Sequence, residues 1–165
     1  MVLNTFMIKK KNIHKTVFYP CCGMDVYNPI ELLRSQSSNF IFCDIKNYRN
    51  WNKSHIPNIQ VNYLKMDAWK AITKLPQIDI LFYRRDGMSE GGSGIQVLGE
   101  QYLEKLLLKF PKTGGKIITD GSNTSASYLD KLFSGSTVYV GYKLSLSLNH
   151  TYEKFGLKTF KVEKL

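Results

Sequence analysis

The chain is poor in cysteine. Its 165 residues hold three, Cys21, Cys22 and Cys43, with five prolines and three histidines. An odd, small number of cysteines builds no disulfide framework. Neighbours such as Cys21 and Cys22 bridge each other only with backbone strain. Together with His14, His55 and His150 they show no four-ligand metal spacing. No apolar run reaches the ~20 residues that span a bilayer. The opening "MVLNTFMIKKKNIHK" lacks an apolar stretch followed by a small-residue cleavage site. Reduced thiols, no membrane and a cytoplasmic location are therefore expected. Acidic residues are also scarce, 13 against 23 lysines and arginines, for a net charge of +10. Such a field attracts polyanions, so nucleic acid or another anionic partner is an expectation. Many of the lysines lie near the two ends ("KKKNIHK", "KTFKVEKL"), where simple solvation explains them equally well. No repeat or long linker appears, and 43% hydrophobic residues suffice for one core. The expectation is a single domain over residues 1–165.

What is present is an alternation of strand with helix or loop, the pattern of a parallel sheet with helices on its faces. Strands are expected at 16–19 ("TVFY"), 39–45 ("NFIFCDI"), 61–66 ("VNYLKM"), 78–83 ("IDILFY") and 116–120 ("KIITD"). "NPIELLRSQ" predicts a helix, with Asn28 as N-cap, Pro29 at the first helical position and Glu31 as a capping-box partner. "AWKAITKL" predicts a short one. Residues 97–110 predict the clearest, with Leu98, Tyr102, Leu106 and Phe110 at helical spacing beside Leu103 and Leu107. "SNTSASYLDKLF" opens with capping residues and predicts another helix. The polar stretch 46–60 has no clear period. "STVYVGYKLSLSL" alternates like one strand with a wet face, and "LKTFKVEKL" does the same; the two are expected to pair antiparallel.

A doubly wound sheet binds ligands at the carboxyl ends of its strands, near the point where strand order reverses. Each predicted strand ends there in polar or small residues. Pro20, Cys21, Cys22, Gly23, Met24 and Asp25 follow the first; Asp44 ends the second; Asp67 and Ala68 follow the third. Tyr83, Arg84, Arg85 and Asp86 close the fourth, and Asp120, Gly121 and Ser122 the fifth. Gly23 and Asp44 stand about twenty residues apart, the separation between a nucleotide-binding turn and the acid that accepts both hydroxyls of a ribose. Such a turn needs small residues, and cysteine is small.

In "VFYPCCGMD", "FCDI", "KMDA", "DILFYRRDG" and "GGKIITDGS" the chain resembles the class I S-adenosylmethionine (SAM)-dependent methyltransferases. The resemblance covers roughly residues 16–163. It implies an α/β fold: a doubly wound, Rossmann-like three-layer sandwich whose mostly parallel seven-stranded sheet ends in an antiparallel hairpin. It also implies S-adenosylmethionine as cofactor. Pro20, Cys21, Cys22, Gly23 and Asp25 would line its methionine and ribose. Asp44, with Ile45 beside it, would hold the ribose, and Asp67 and Ala68 would flank the adenine. Tyr83 and Arg84 would stand where cofactor meets substrate. The family's first turn usually carries an acid and then G-x-G-x-G; here a single glycine remains. The [DNS]-P-P-[YFW] tetrapeptide of amino-directed members is absent after the fourth strand. The lysine of the Lys-Asp-Lys-Glu set of ribose methylation is replaced by Asp120.

Other readings stay open. Pro20-Cys21 has the letters of the cytosine C5 methyltransferase nucleophile, but that family carries them after the fourth strand. A lowered thiol pKa near a helix start would make a cysteine reactive. "RRDGMSEGGSG", with four glycines, joins two arginines to an acid at a strand end. Such a loop would clamp an anionic substrate and move as a lid, with Arg85 and Asp86 as catalytic candidates and Glu90 as a second possible base. It would serve equally as a solvated surface loop. The expected activity is methyl transfer to an unidentified acceptor. The alternatives are a Rossmann-like module that binds a nucleotide-like ligand or nucleic acid without transfer, and a nicotinamide enzyme. The last lacks the G-x-G-x-x-G turn that holds a pyrophosphate.

Overall fold

A computed structural model describes residues 14–46, 56–84, 100–121 and 136–165. Arg85, Asp86, Glu90, the rest of the glycine-rich loop and the helix expected over 122–133 lie outside the described residues.

Five strands pair in parallel: β1 (Thr16–Pro20), β2 (Asn39–Asp44), β3 (Gln60–Lys65), β4 (Ile80–Tyr83) and β5 (Gly115–Thr119). Three more, β6 (Ser136–Tyr139), β7 (Tyr142–Ser147) and β8 (Lys158–Lys164), complete the sheet in the order β3-β2-β1-β4-β5-β8-β7-β6. β8 runs antiparallel to β5 and to β7, as the alternating tail predicts. The fold class is thus the expected one, with one strand more than the pattern suggests.

The extra strand comes from "STVYVGYKLSLSL", which folds back at Val140 and Gly141 to pair Tyr139 with Tyr142. A two-residue turn reverses which parity of residues faces the core. Val138 and Val140 are therefore 61% and 53% exposed, while Tyr142 and Leu144 are buried. One unbroken alternation in the sequence conceals that reversal.

Four helices are described: α1 (Tyr27–Leu33), α2 (Ala68–Lys74), α3 (Glu100–Leu107) and α4 (His150–Glu153). α1 starts earlier than its capping residues predict. Val26 is its N-cap, without a side-chain cap, and Asn28 and Pro29 lie inside the first turn. Burial of Val26 and Ile30 in the core fixes this start, overriding the cap preference. α2 is capped as a polar N-terminus should be: the Asp67 carboxylate accepts the amides of Trp69 and Lys70. Of the predicted stripe, α3 buries Tyr102, Leu103, Leu106 and Leu107, Phe110 is buried just beyond its end, and Leu98 lies outside the described residues.

Strand order carries the chain one way from β1 to β3 and the other way from β3 through β4 to β5, and crossovers between parallel strands are right-handed as a rule. This reversal puts α1 on one face and α2 and α3 together on the other; Trp69 of α2 meets Tyr102 of α3 edge-on at 5.0 Å. β1 is buried along its whole length and β4 likewise, so both read as continuous apolar runs. Phe18, Tyr19, Phe40, Phe42 and Phe82 are all below 2% exposed. Each such side chain contributes about 1.5–3 kcal/mol by burial.

Candidate functional site

Strand order reverses between β1 and β4. The carboxyl ends flanking that point bring together all the described candidates. Pro20 ends β1 and is buried; the turn 21–25 leads from it towards α1. Asp44 ends β2, with Ile45 beyond it 66% exposed. Asp67 and the buried Ala68 open α2, and the buried Tyr83 ends β4 beside Arg84.

The turn is built from left-handed backbone. Cys21 has φ 55° and Gly23 φ 58°. Glycine reaches that region freely and other residues rarely do, so Cys21 stands in a conformation suited to glycine. Its neighbours hold it there. The Cys22 amide donates to the Cys43 carbonyl at 3.0 Å, and the Asp25 amide donates to the Cys22 carbonyl at 3.0 Å. The Gly23 amide donates to Asp44 Oδ2 at 2.9 Å. Turn and acid, read as a pair from spacing alone, are in direct contact. Asp44 Oδ1 accepts the Lys46 amide at 2.9 Å. Each carboxylate oxygen can accept more than one hydrogen, so Asp44 keeps the capacity to receive the two hydroxyls of a diol.

A second anchor spans the switch point. Arg84 donates from Nε to Asp25 Oδ2 at 2.6 Å and from Nη2 to Oδ1 at 2.7 Å. This is the forked geometry that suits guanidinium and carboxylate. The two side chains are 19% and 9% exposed. The Tyr19 hydroxyl lies within donating distance of Asp25 Oδ2 (2.9 Å) and of the Arg84 carbonyl (2.8 Å). Burial first and the Asp25 carboxylate second push its pKa well above the usual phenol value. The hydroxyl is therefore a fixed donor. Arg84 also lies over the Phe82 ring, 5.7 Å from its centre. The sequence offers Arg84 as an anion clamp; in the fold its fork grips Asp25.

Two of the three thiols, Cys22 and Cys43, are not activated. Burial pushes Cys22 well above the ordinary value and raises Cys43 to about 12, with nearby carboxylates and thiols adding to both shifts. That removes the lowered-pKa reading for these two. Among the described residues no group of three His, Cys, Asp or Glu side chains is placed to hold a metal ion.

Tyr102 is a neighbour that sequence reasoning assigned only to the core. Its hydroxyl donates to the Ala68 carbonyl at 2.9 Å. Burial, then Cys21, Cys43 and Asp67, push its pKa up, so it stays protonated beside the turn. Tyr19 was equally hidden as a strand residue. The available signal was general: a buried tyrosine needs a partner for its hydroxyl.

No protein-family model matches the sequence, and no curated protein is significantly similar to it. Solved structures do match. A candidate methyltransferase from Streptococcus mutans, in complex with SAH (S-adenosylhomocysteine), has a TM-score of 0.57 at 14% identity, over 92% of this chain and 90% of that one. A candidate SAM-dependent methyltransferase from Listeria monocytogenes has a TM-score of 0.50 at 12% identity, over 92% of each chain. Phosphoethanolamine N-methyltransferase 1 from Haemonchus contortus, with phosphoethanolamine and S-adenosylhomocysteine, has a TM-score of 0.52 at 12% identity; the match covers 92% of this chain and 40% of that one. With its five parallel strands, reversed β8 and acid-ended β2, the chain has the class I SAM-dependent methyltransferase fold.

Proposed function

We propose that the protein is a SAM-dependent methyltransferase acting on an acceptor yet to be identified. The observation that carries this reading is the contact between the Gly23 amide and the Asp44 carboxylate at the switch point of such a fold. Pro20, Cys21, Cys22, Gly23 and Asp25 form the wall for the methionine and ribose of the cofactor. Asp44 accepts the ribose hydroxyls. Ile45, Asp67 and Ala68 flank the base, and Tyr83 and Arg84 border the transfer position. Arg85 and Asp86 are the candidates for handling the acceptor. When bound, SAM supplies a methyl group already activated on a sulfonium. The chain then has only to orient an acceptor in line, exclude water and, for a protonated acceptor, receive a proton. The fixed Asp25–Arg84 fork and the protonated Tyr19 and Tyr102 serve orientation rather than proton removal.

Calorimetric titration of SAM and SAH tests the reading. Binding is expected, and Asp44→Ala is expected to abolish it. The absence of both heat and a thermal shift at about 1 mM ligand, the upper end of ordinary KM values, overturns it. The single-glycine turn and the ion pair across the crevice favour a second reading, a Rossmann-like module that binds without transfer. That module would bind a nucleotide-like ligand or nucleic acid while ignoring SAM, and nucleic acid binding would weaken steeply with salt.

A further inference from the structure

A cleft of about 280 Å³ opens at the opposite end of the sheet, against the amino ends of β4 and β5 and the face of β8. Three lysines from separate segments border it: Lys15 before β1, Lys116 on β5 and Lys161 on β8. Lys116 and Lys161 are register partners, so their side chains leave the same face. Like charges directly opposite in a sheet are destabilising. Compensation within the fold is incomplete. Lys161 reaches Glu163 at 2.7 Å, at an exposed position. Among the described residues, the Lys116 ammonium reaches only the neutral amide oxygen of Gln36, at 3.4 Å. Among the described residues no carboxylate pairs with Lys15 or Lys116. The cleft's one carboxylate, Asp79, has Oδ2 held by the Thr16 amide at 2.8 Å. Burial and the nearby Lys15 lower the Lys116 pKa, the mark of a cation short of counter-charge.

A second, independent observation lies on the same face. Thr159, which lines the cleft and pairs with Ser147, is 4% exposed, and among the described residues its Oγ1 has no hydrogen-bond partner. A buried hydroxyl without a partner is costly and rare. Thr113 and Ser147 add further hydroxyls to the lining.

We propose that this cleft binds a small phosphate-bearing anion, held by the ammonium groups of Lys15, Lys116 and Lys161 and by the Thr159 hydroxyl. The donor set selects the chemistry. No arginine lines the cleft, so the planar fork that matches a carboxylate is missing. Point-charge ammoniums arriving from three segments suit a tetrahedral oxyanion. The volume is at the small end for a ligand pocket, enough for a phosphate and a few further atoms. The site is separate from the carboxyl-end constellation and does not depend on methyl transfer.

The test uses inorganic phosphate as probe, at fixed ionic strength, with calorimetry and thermal melting of the full chain. The wild type is expected to bind saturably and to melt higher with phosphate. Lys116→Met and Lys15→Gln are each expected to weaken binding about tenfold or more, the scale of one lost charge-assisted hydrogen bond. Without phosphate, Lys116→Met is expected to melt at or above the wild-type temperature, whereas a purely structural lysine would lower it. No saturable binding at about 10 mM phosphate, or equal affinity in wild type and both variants, overturns the proposal; ordinary sites of this chemistry saturate well below that concentration. A short single-stranded DNA that displaces phosphate with a steep salt dependence overturns the small-ligand assignment in favour of a polynucleotide.

Discussion

Among the described residues, Cys21, Asn58 and Val140 are the non-glycines in left-handed backbone, and the turns at Cys21 and Val140 are built in opposite ways. After β1, Cys21 (φ 55°) and Gly23 (φ 58°) flank a Cys22 that is fully buried. Amide contacts to Cys43 and Asp44 and the Asp25–Arg84 fork hold that turn from three sides. Between β6 and β7, Val140 (φ 45°) and Gly141 (φ 80°) form an exposed hairpin turn, touched from outside by the Leu165 amide, which donates to the Gly141 carbonyl at 2.9 Å. Val140 is 53% exposed, and a Cβ added at Gly141 would meet nothing within 4 Å. Strained backbone persists where its surroundings over-determine it, and such places cluster at functional sites. The first turn meets that description. The second is tolerated because little depends on it.

The largest expected effect breaks the first turn's anchor. Arg84→Met leaves Asp25 nearly buried without its cation, and about 3–5 kcal/mol of stability should be lost in urea denaturation. A loss below about 1 kcal/mol, the range of surface pairs, would mean that water solvates Asp25 after all. Alkaline pH attacks the same region next. The folded chain retains the Cys22 and Cys43 protons where the unfolded chain has released them. Stability is therefore complete below the ordinary thiol value near 9 and falls as pH rises towards about 12 for Cys43. The slope is about 1.4 kcal/mol per pH unit for each thiol in that window. Denaturation midpoints measured with Cys43→Ala as control should show a shallower alkaline decline in the variant.

Smaller changes sharpen the contrast between the turns. Val140→Asn should raise stability by about 1 kcal/mol, because a β-branched residue is disfavoured at positive φ and asparagine before glycine suits this turn. SAH binding should not change. Cys21→Gly relieves a milder strain but adds freedom to the unfolded chain, so its net effect should stay within about 0.5 kcal/mol. Equal gains at both positions would show that the buried turn is no better supported than the exposed one.

The parallel half was legible because β1, β2 and β4 are buried on both faces. Such strands must be apolar runs, and their ends must turn polar where the chain leaves the core. The Gly23–Asp44 partnership was legible through spacing, since one strand–helix–strand unit fixes that separation. The start of α1 was not, because the burial of Val26 outweighs the capping letters Asn28 and Glu31. The β6–β7 hairpin was not, because "VYVGYKL" keeps its alternation through the turn and Gly141 alone marks it.

Local pattern thus determined the five parallel strands, the existence of α1 to α3 and the row of acids along the carboxyl edge, all of which follow from periodicity and chain direction. Only the tertiary structure decided how those groups are used. Arg84 and Asp25 are 59 residues apart, and the crossing from β1 to β4 brings them into one fork. Lys15, Lys116 and Lys161 border one cleft because segments distant in the chain lie side by side in the sheet. Whether a charge is spent on a neighbour or left for a ligand depends on distances across the sheet, and those exist only once the chain has closed on itself.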